Sequence, residues 1–370
     1  MRIALLGTRG IPANYGGFET FAEELSTRLV ARGHRVTVYC RNPHDFSQFH
    51  SGQYRGVDLV WLPTIRHKYL DTIAHTFFST LHLAFRRGPY GIDAALYCNA
   101  ANAVFTLLPR MTGIPVALNV DGIERKRKKW NRYARAWYYV SEYLSTIFPN
   151  RFVTDAEAIR RYYREQWKAD SLFIAYGADT TVATTRDVLD RLSLEPARYF
   201  LYVSRLEPEN RALDVREAFE KVDAADMKLA LIGDAPYASE YIRRVRDTQD
   251  PRIVMPGAIY GTGYRELGTW CFAYIHATEV GGTHPALIEA MARGALVLYL
   301  DTTENREVCG DAGIAYRDQA ELTGQMNTVL RMSEAERGVY GQRALERVRE
   351  RYDWEAVTSQ YEVLLSGLRK

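Results

Sequence analysis

The chain alternates short, unbroken apolar runs with stretches in which apolar residues recur every three or four positions. Residues 3–6, Ile-Ala-Leu-Leu, read as a strand covered on both faces. Phe21, Ala22, Leu25 and Leu29 follow at helical spacing and residues 36–39 form the next run, so the opening predicts a βαβ unit. Further strands are predicted at 59–61, 94–97, 115–120, 151–153 and 172–175, and a second series at 199–203, 229–232, 253–255, 272–275 and 296–299. Strands alternating with helices build doubly wound parallel sheets. The pattern therefore predicts an α/β protein of two Rossmann-like domains. Residues 1–178 form the first, with an amphipathic C-terminal helix (354–370) packing back on it, and residues 179–353 the second. Ligands of such sheets bind beyond the carboxyl ends of the strands, which puts the expected site in a cleft that both domains face.

Two glycine-rich turns punctuate this pattern. Gly281-Gly282-Thr283-His284-Pro285 leads straight into a small-residue helix carrying Glu289. Glycines admit close backbone approach, and a helix N-terminus offers unpaired N–H groups to a phosphate; an ordinary capped helix is the other reading. The second turn, Gly7-Thr8-Arg9-Gly10 through Tyr15-Gly16-Gly17-Phe18-Glu19, lies between the first strand and the first helix. Its spacing is not Gly-x-Gly-x-x-Gly, which disfavours a nicotinamide enzyme, and no Gly-x4-Gly-Lys-[Ser/Thr] loop argues for an NTPase.

With 370 residues, 47% apolar and 25% charged, the chain is long enough for two cores. No run approaches a membrane span and the first apolar run is too short for a signal peptide, so a cytosolic protein is expected. Cys40, Cys98, Cys271 and Cys309 lack metal-ligand spacing, and no Asp-x-Asp pair occurs, so neither a metal nor another cofactor is expected. The net charge of +3 conceals an asymmetry. Residues 1–180 hold 24 Lys and Arg against 15 Asp and Glu, the remainder 24 against 30. The basic half contains Arg125, Lys126, Arg127, Lys128, Lys129 and Trp130, then Arg132, Arg135, Trp137, Tyr138 and Tyr139. Cations mixed with Trp and Tyr fit an anionic membrane surface or a polyphosphate, with a solvated helix face as the alternative. No nucleic-acid-binding motif accompanies the run.

Five segments in order carry a resemblance: residues 7–19; Asp121-Gly122-Ile123-Glu124 with the basic run; Ser204-Arg205-Leu206-Glu207-Pro208-Glu209-Asn210; residues 280–291; and Asn305-Arg306-Glu307-Val308. Through them the chain resembles the GT-B glycosyltransferases of family 4, retaining enzymes that use nucleotide-sugar donors, and within them a bacterial rhamnosyltransferase-like branch. The resemblance implies two Rossmann-like domains facing a cleft. It places the donor diphosphate against Arg205 and the Gly281-Gly282-Thr283 turn, with Gly16 and Gly17 beneath it, and gives Glu289 the ribose hydroxyls. Relatives carry a lysine where this chain has Asn210, and a first glutamate where it has Gly281; Arg211 and Glu279 stand nearby as substitutes. Asp121 is the acceptor-side polar residue, with a helix N-cap as its other reading, and Glu19 and Glu124 rank below it.

The implied activity is retaining transfer of a sugar, in the first place L-rhamnose from dTDP-rhamnose, to a lipid-linked or saccharide acceptor on the cytoplasmic face of the membrane. Arg125, Lys126, Lys128, Lys129 and Trp130 would hold that face. A UDP-hexose donor is the alternative within the class, and a catalytically idle sugar-nucleotide-binding protein the alternative outside it.

Overall fold

The computed structural model describes residues 1–13, 16–42, 50–65, 70–85, 91–127, 130–235 and 238–368, with the side chains of 42, 50 and 51 left aside. Contacts divide the chain into two units. One comprises Met1–Lys126, Trp130–Gly177 and Trp354–Lys370, the other Arg127–Lys129 and Ala178–Asp353.

The first unit is built on a sheet of β1 (Arg2–Leu6), β2 (Arg35–Asn42), β3 (His50–Tyr54), β4 (Val57–Pro63), β5 (Ala94–Cys98), β6 (Val116–Asn119), β7 (Arg151–Thr154) and β8 (Leu172–Phe173). The order is β3-β4-β2-β1-β5-β6-β7-β8, parallel except for the β3–β4 hairpin. Ile3 stands opposite Val36 on one side and Ala94 on the other, and β5 and β6 are buried along their length. That is why these strands read as continuous apolar runs. Helix Gly17–Ala31 buries Phe21, Ala22, Leu25 and Leu29. The final helix, Trp354–Gly367, packs against it: Phe21 meets Tyr361 edge-on at 5.2 Å, and Arg32 pairs with Glu355 and Glu362. Asn119 Nδ2 donates to the Tyr361 hydroxyl at 2.9 Å, which ties that helix to the end of β6.

The second unit holds β9 (Tyr199–Val203), β10 (Lys228–Ile232), β11 (Ile253–Gly257), β12 (Ala273–His276), β13 (Val297–Leu300) and β14 (Gly313–Tyr316). Its order, β11-β10-β9-β12-β13-β14, is parallel throughout and is that of a dinucleotide-binding fold. In each sheet the first strand, β1 or β9, has neighbours on both sides where the strand order reverses. The loop leaving its carboxyl end is therefore the natural ligand position of that unit.

Two strands depart from the sequence reading. β3 is a polar edge strand paired only with β4, and β14 is a four-residue strand; neither shows an apolar run of diagnostic length.

Candidate active site

In the second unit the loop after β9 is clamped by its own backbone. Gly233, following β10, has φ +151°, and a Cβ there would lie 1.8 Å from the Ser204 carbonyl oxygen. Only glycine fits this approach. Arg205 comes next, a third exposed, with its guanidinium 3.7 Å from the buried Glu207 carboxylate. Asn210, at the position where relatives have lysine, is buried and donates through Nδ2 to the Arg205 carbonyl oxygen at 2.7 Å. It shapes the loop and brings no charge.

Arg211 has a left-handed backbone, φ +53°, and its Nε donates to Glu279 Oε1 at 2.8 Å. The two residues considered as substitutes thus answer each other. The Glu279 N–H also donates to the Glu209 carbonyl oxygen at 2.9 Å, which fastens the loop after β12 to the loop after β9.

Gly281, Gly282 and Thr283 are buried at the head of helix Pro285–Ala292. A Cβ on Gly281 would lie 2.2 Å from the His284 imidazole, so the ring requires glycine beneath it. His284 stands 4.8 Å from the His276 ring at the end of β12. Burial drives His284 well below the ordinary imidazole range, with His276, Arg127 and Arg205 adding to the effect, and burial takes His276 down to about 3. Both rings are neutral near pH 7, able to donate or accept a proton in a hydrogen bond but adding no positive charge. Asn305 is buried below the turn and donates through Nδ2 to the carbonyls of Thr278, 3.0 Å, and Leu300, 2.9 Å. The marker segment at 305–308 is in this way a staple beneath the turn.

Glu289 lies beside Tyr264 and Arg293, whose guanidinium covers the Tyr264 ring at 4.8 Å. Burial and then the Glu289 carboxylate raise the Tyr264 hydroxyl, and Glu289 helps hold Arg293 protonated against burial. The carboxylate reserved in the sequence reading for ribose is set among these two side chains.

In the first unit, the loop after β1 turns at Gly7, φ +90°, where a Cβ would meet the Cys98 carbonyl oxygen at 2.4 Å. Helix Gly17–Ala31 holds this loop by carboxylates: Glu19 accepts from the Arg9 N–H at 2.9 Å and Glu23 from the Ala13 N–H at 2.7 Å. Burial raises the Glu19 carboxyl. Gly16 caps the helix in extended backbone, and a Cβ there would meet only Glu19 Oε2, at 3.5 Å. Nothing described in the protein itself therefore demands glycine at 16. Tyr15 lies outside the described residues.

Asp121 follows β6 with φ +63°, its N–H donating to Asn119 Oδ1 at 3.0 Å. Its charge adds to burial in raising the Cys98 thiol and the Tyr176 hydroxyl, which places the carboxylate by those groups at the carboxyl edge of the sheet. The next helical turn starts only at Glu124, so Asp121 is not its N-cap.

The basic run is engaged in part. Arg125 Nε donates to Glu142 at 3.2 Å and Nη2 to the Tyr162 hydroxyl at 2.8 Å, and the guanidinium lies over Tyr139 at 5.5 Å. Trp130 donates to Glu124 at 3.2 Å and packs at a tilt against Tyr138. These two side chains are structural contacts, engaged because a buried carboxylate, Glu142 or Glu124, needs a donor. Lys126 is exposed, and Lys128 and Lys129 lie outside the described residues. Among the described residues no cluster of three or more His, Cys, Asp or Glu is arranged to hold a metal ion, and no helix is long and apolar enough to cross a membrane.

The model for a "Glycosyl transferase 4-like domain" matches residues 16–194, and that for "Glycosyl transferases group 1" matches residues 197–332. No curated protein matches the sequence. Among solved structures, a sucrose-phosphate synthase of Thermosynechococcus elongatus superposes with TM-score 0.84 at 18% identity, over 99% of this chain and 98% of that one. Anabaena HepE, in complex with UDP-glucose, gives 0.77 at 15%, over 99% and 100%. WaaG, described as a glycosyltransferase involved in lipopolysaccharide biosynthesis, gives 0.72 at 13%, over 99% and 100%. The shared architecture is GT-B.

Proposed function

Since the chain is a glycosyltransferase whose two halves belong to the 4-like and group 1 domain families, we propose that it transfers L-rhamnose from dTDP-rhamnose, with retention, to a lipid-linked or saccharide acceptor at a membrane surface. The observation that carries the donor side is the juxtaposition, at the carboxyl edge of one sheet, of the Arg205 loop and the loop with the Gly281-Gly282-Thr283 turn, fastened by the Glu279 N–H to the Glu209 carbonyl. A departing diphosphate gains negative charge and is stabilised by fixed donors and cations. The two histidines are neutral and Glu279 meets the Arg211 charge, so among the described residues the cations by the turn are the buried Arg127 and the partly exposed Arg205, which share the Glu207 carboxylate; Arg205, the accessible one, takes this task with the backbone N–H groups of the turn.

In this reading the leaving phosphate accepts the acceptor proton on the front face of the sugar, so no protein nucleophile is needed. Asp121 orients the acceptor hydroxyl, and Gly16 and Gly17 admit the diphosphate to the backbone. Glu289 reaches the sugar ring of the nucleotide after giving up its place by Tyr264. No metal or other cofactor takes part. The acceptor assignment draws on WaaG, the neighbour named for lipopolysaccharide biosynthesis. A UDP-hexose donor is the second reading, favoured by the HepE complex with UDP-glucose.

A thermal-shift and calorimetry screen with dTDP-, UDP- and GDP-sugars tests both. At a hundredfold excess over Kd a bound donor stabilises the fold by about 2.7 kcal/mol. The largest shift should come with dTDP-rhamnose. A larger one with a UDP-hexose selects the second reading, and no shift with any donor removes the donor site.

A further inference from the structure

Two helices of the first unit carry large apolar side chains on their outer faces. Helix Asp71–Phe85 buries His75, Thr76, Ser79 and Thr80 together with Leu83 and Ala84, while Phe77, Phe78 and Phe85 are 46%, 38% and 78% exposed and Leu70, just before it, 45%. At about 100° per residue, Leu70, Ala74, Phe77, Phe78, Leu81 and Phe85 fall within one arc of about 100° that contains no charged residue. The buried polar groups are served locally: Ser79 Oγ donates to the His75 carbonyl at 2.8 Å, and Thr80 Oγ1 lies 2.9 Å from the Tyr97 hydroxyl.

Helix Arg132–Ser145 likewise buries Ser141, Glu142 and Ser145 beside Tyr138, while Tyr133, Tyr139, Val140 and Tyr143 lie exposed. Both helices cover the same face of the sheet, because Leu83 and Leu144 join one core with Ala103 of the 3-10 helix Ala100–Thr106. The short helix Leu107–Met111, packed beside the first, adds Met111, 76% exposed. Folding in water places apolar residues inside; large apolar side chains exposed side by side on neighbouring helices call for an apolar occupant of that outer side.

We propose that this outer face docks the protein on an anionic lipid bilayer. The proposal rests on the membrane-acceptor reading above and specifies the surface that serves it. Charge decides between a bilayer and a second copy of the chain. Among the described residues of these three helices, the exposed charged side chains are Arg110, Arg132 and Arg135, all cationic. The acidic ones are Asp71, paired with Arg41, and Glu142, paired with Arg125. Two copies face to face would oppose like charges, whereas phospholipid headgroups answer them. Phenylalanines without charges between them suit insertion at the acyl boundary, and the tyrosines on the neighbouring helix suit the headgroup layer.

Co-sedimentation of the full chain with vesicles of phosphatidylglycerol and phosphatidylcholine tests this, beside vesicles of phosphatidylcholine alone. The variant combining Phe77→Ser, Phe78→Ser and Phe85→Ser should lower the partition coefficient at least about tenfold. Its circular dichroism and its affinity for nucleotide-sugar in solution should not change, since the substituted rings are exposed. Arg132→Glu with Arg135→Glu should weaken binding to the anionic vesicles and leave that to phosphatidylcholine unaltered.

Equal pelleting of the serine variant and the wild type would overturn the proposal. So would a dimer of the wild type, seen by light scattering, that the serine variant breaks without any change in vesicle binding. Donor affinity in solution separates the two readings: if vesicle binding follows the serine variant but no nucleotide-sugar binds, the surface stands and the proposed function falls.

Discussion

Two helices, one from each unit, present opposite outer faces. In the second unit, helix Ser239–Arg246 buries Ile242 and Val245 and exposes Ser239, Glu240, Arg243, Arg244 and Arg246. In the first, helix Asp71–Phe85 buries hydroxyls and an imidazole beside Leu83 and Ala84 and exposes phenylalanines. Folding in water accounts for the second unit's helix and leaves the first unit's phenylalanines unexplained. The donor site proposed for the second unit lies in the loops at the strand ends, with Arg205 and the glycine turn, and the docking surface proposed for the first lies on outer helix faces.

Exchanging the polarity of one position in each unit should have the largest effect and tests the contrast most sharply. Ile242→Ser removes a buried side chain and should cost about 2–4 kcal/mol, whereas Phe85→Ser, at a ring 78% exposed, should change stability by no more than about 0.5 kcal/mol. Urea midpoints of the two variants check this. Comparable losses would mean that Phe85 is packed as a core residue and that the contrast is false.

Acid should sharpen the comparison with a smaller effect. His75, on the buried side of helix Asp71–Phe85, and His276, beneath the glycine turn, are both held near 3 by burial. An unfolded histidine titrates near 6.5, so below that pH the unfolded chain takes up protons that the folded one refuses. The stability these neutral imidazoles contribute is complete above about pH 6.5 and is lost as the pH falls towards 3. Each should cost about 1.4 kcal/mol between about pH 7.5 and 5.5. Denaturant titrations at the two pH values should show His75→Gln and His276→Gln each flattening the dependence by that amount; an unchanged slope in either variant would show that its histidine is protonated in the fold.

The smallest effect should come from the Arg211–Glu279 pair. It is partly exposed, so a double-mutant cycle on Arg211→Ala and Glu279→Ala should give a coupling of about 0.5–1 kcal/mol. A coupling near zero would free Arg211 for the donor.

Most strands were legible because parallel strands covered on both faces leave unbroken apolar runs, as at 3–6 and 199–203. β3, His-Ser-Gly-Gln-Tyr, was not, since an edge strand needs no such run. The turn at 281–283 was legible from its glycines. The role of Asn210 was hidden because the sequence shows a missing lysine and not the carbonyl its amide reaches. The apolar outer faces were half legible: periodicity reveals an apolar stripe at 70–85 but carries no sign telling whether the stripe turns inward. Among the cations at 125–129, the part of Arg125 was hidden because sequence cannot show that Glu142 and Tyr162 hold it.

The central claim is that Arg205, and not Arg211, meets the donor diphosphate. Titration calorimetry of UDP and dTDP against the wild type, Arg205→Ala and Arg211→Ala tests it directly. Loss of one charge-assisted hydrogen bond is worth about 1.5–3 kcal/mol. The account therefore predicts that Arg205→Ala weakens binding by about tenfold or more, with Arg211→Ala within about twofold of the wild type. Unchanged affinity in Arg205→Ala, or a larger loss in Arg211→Ala, would contradict it.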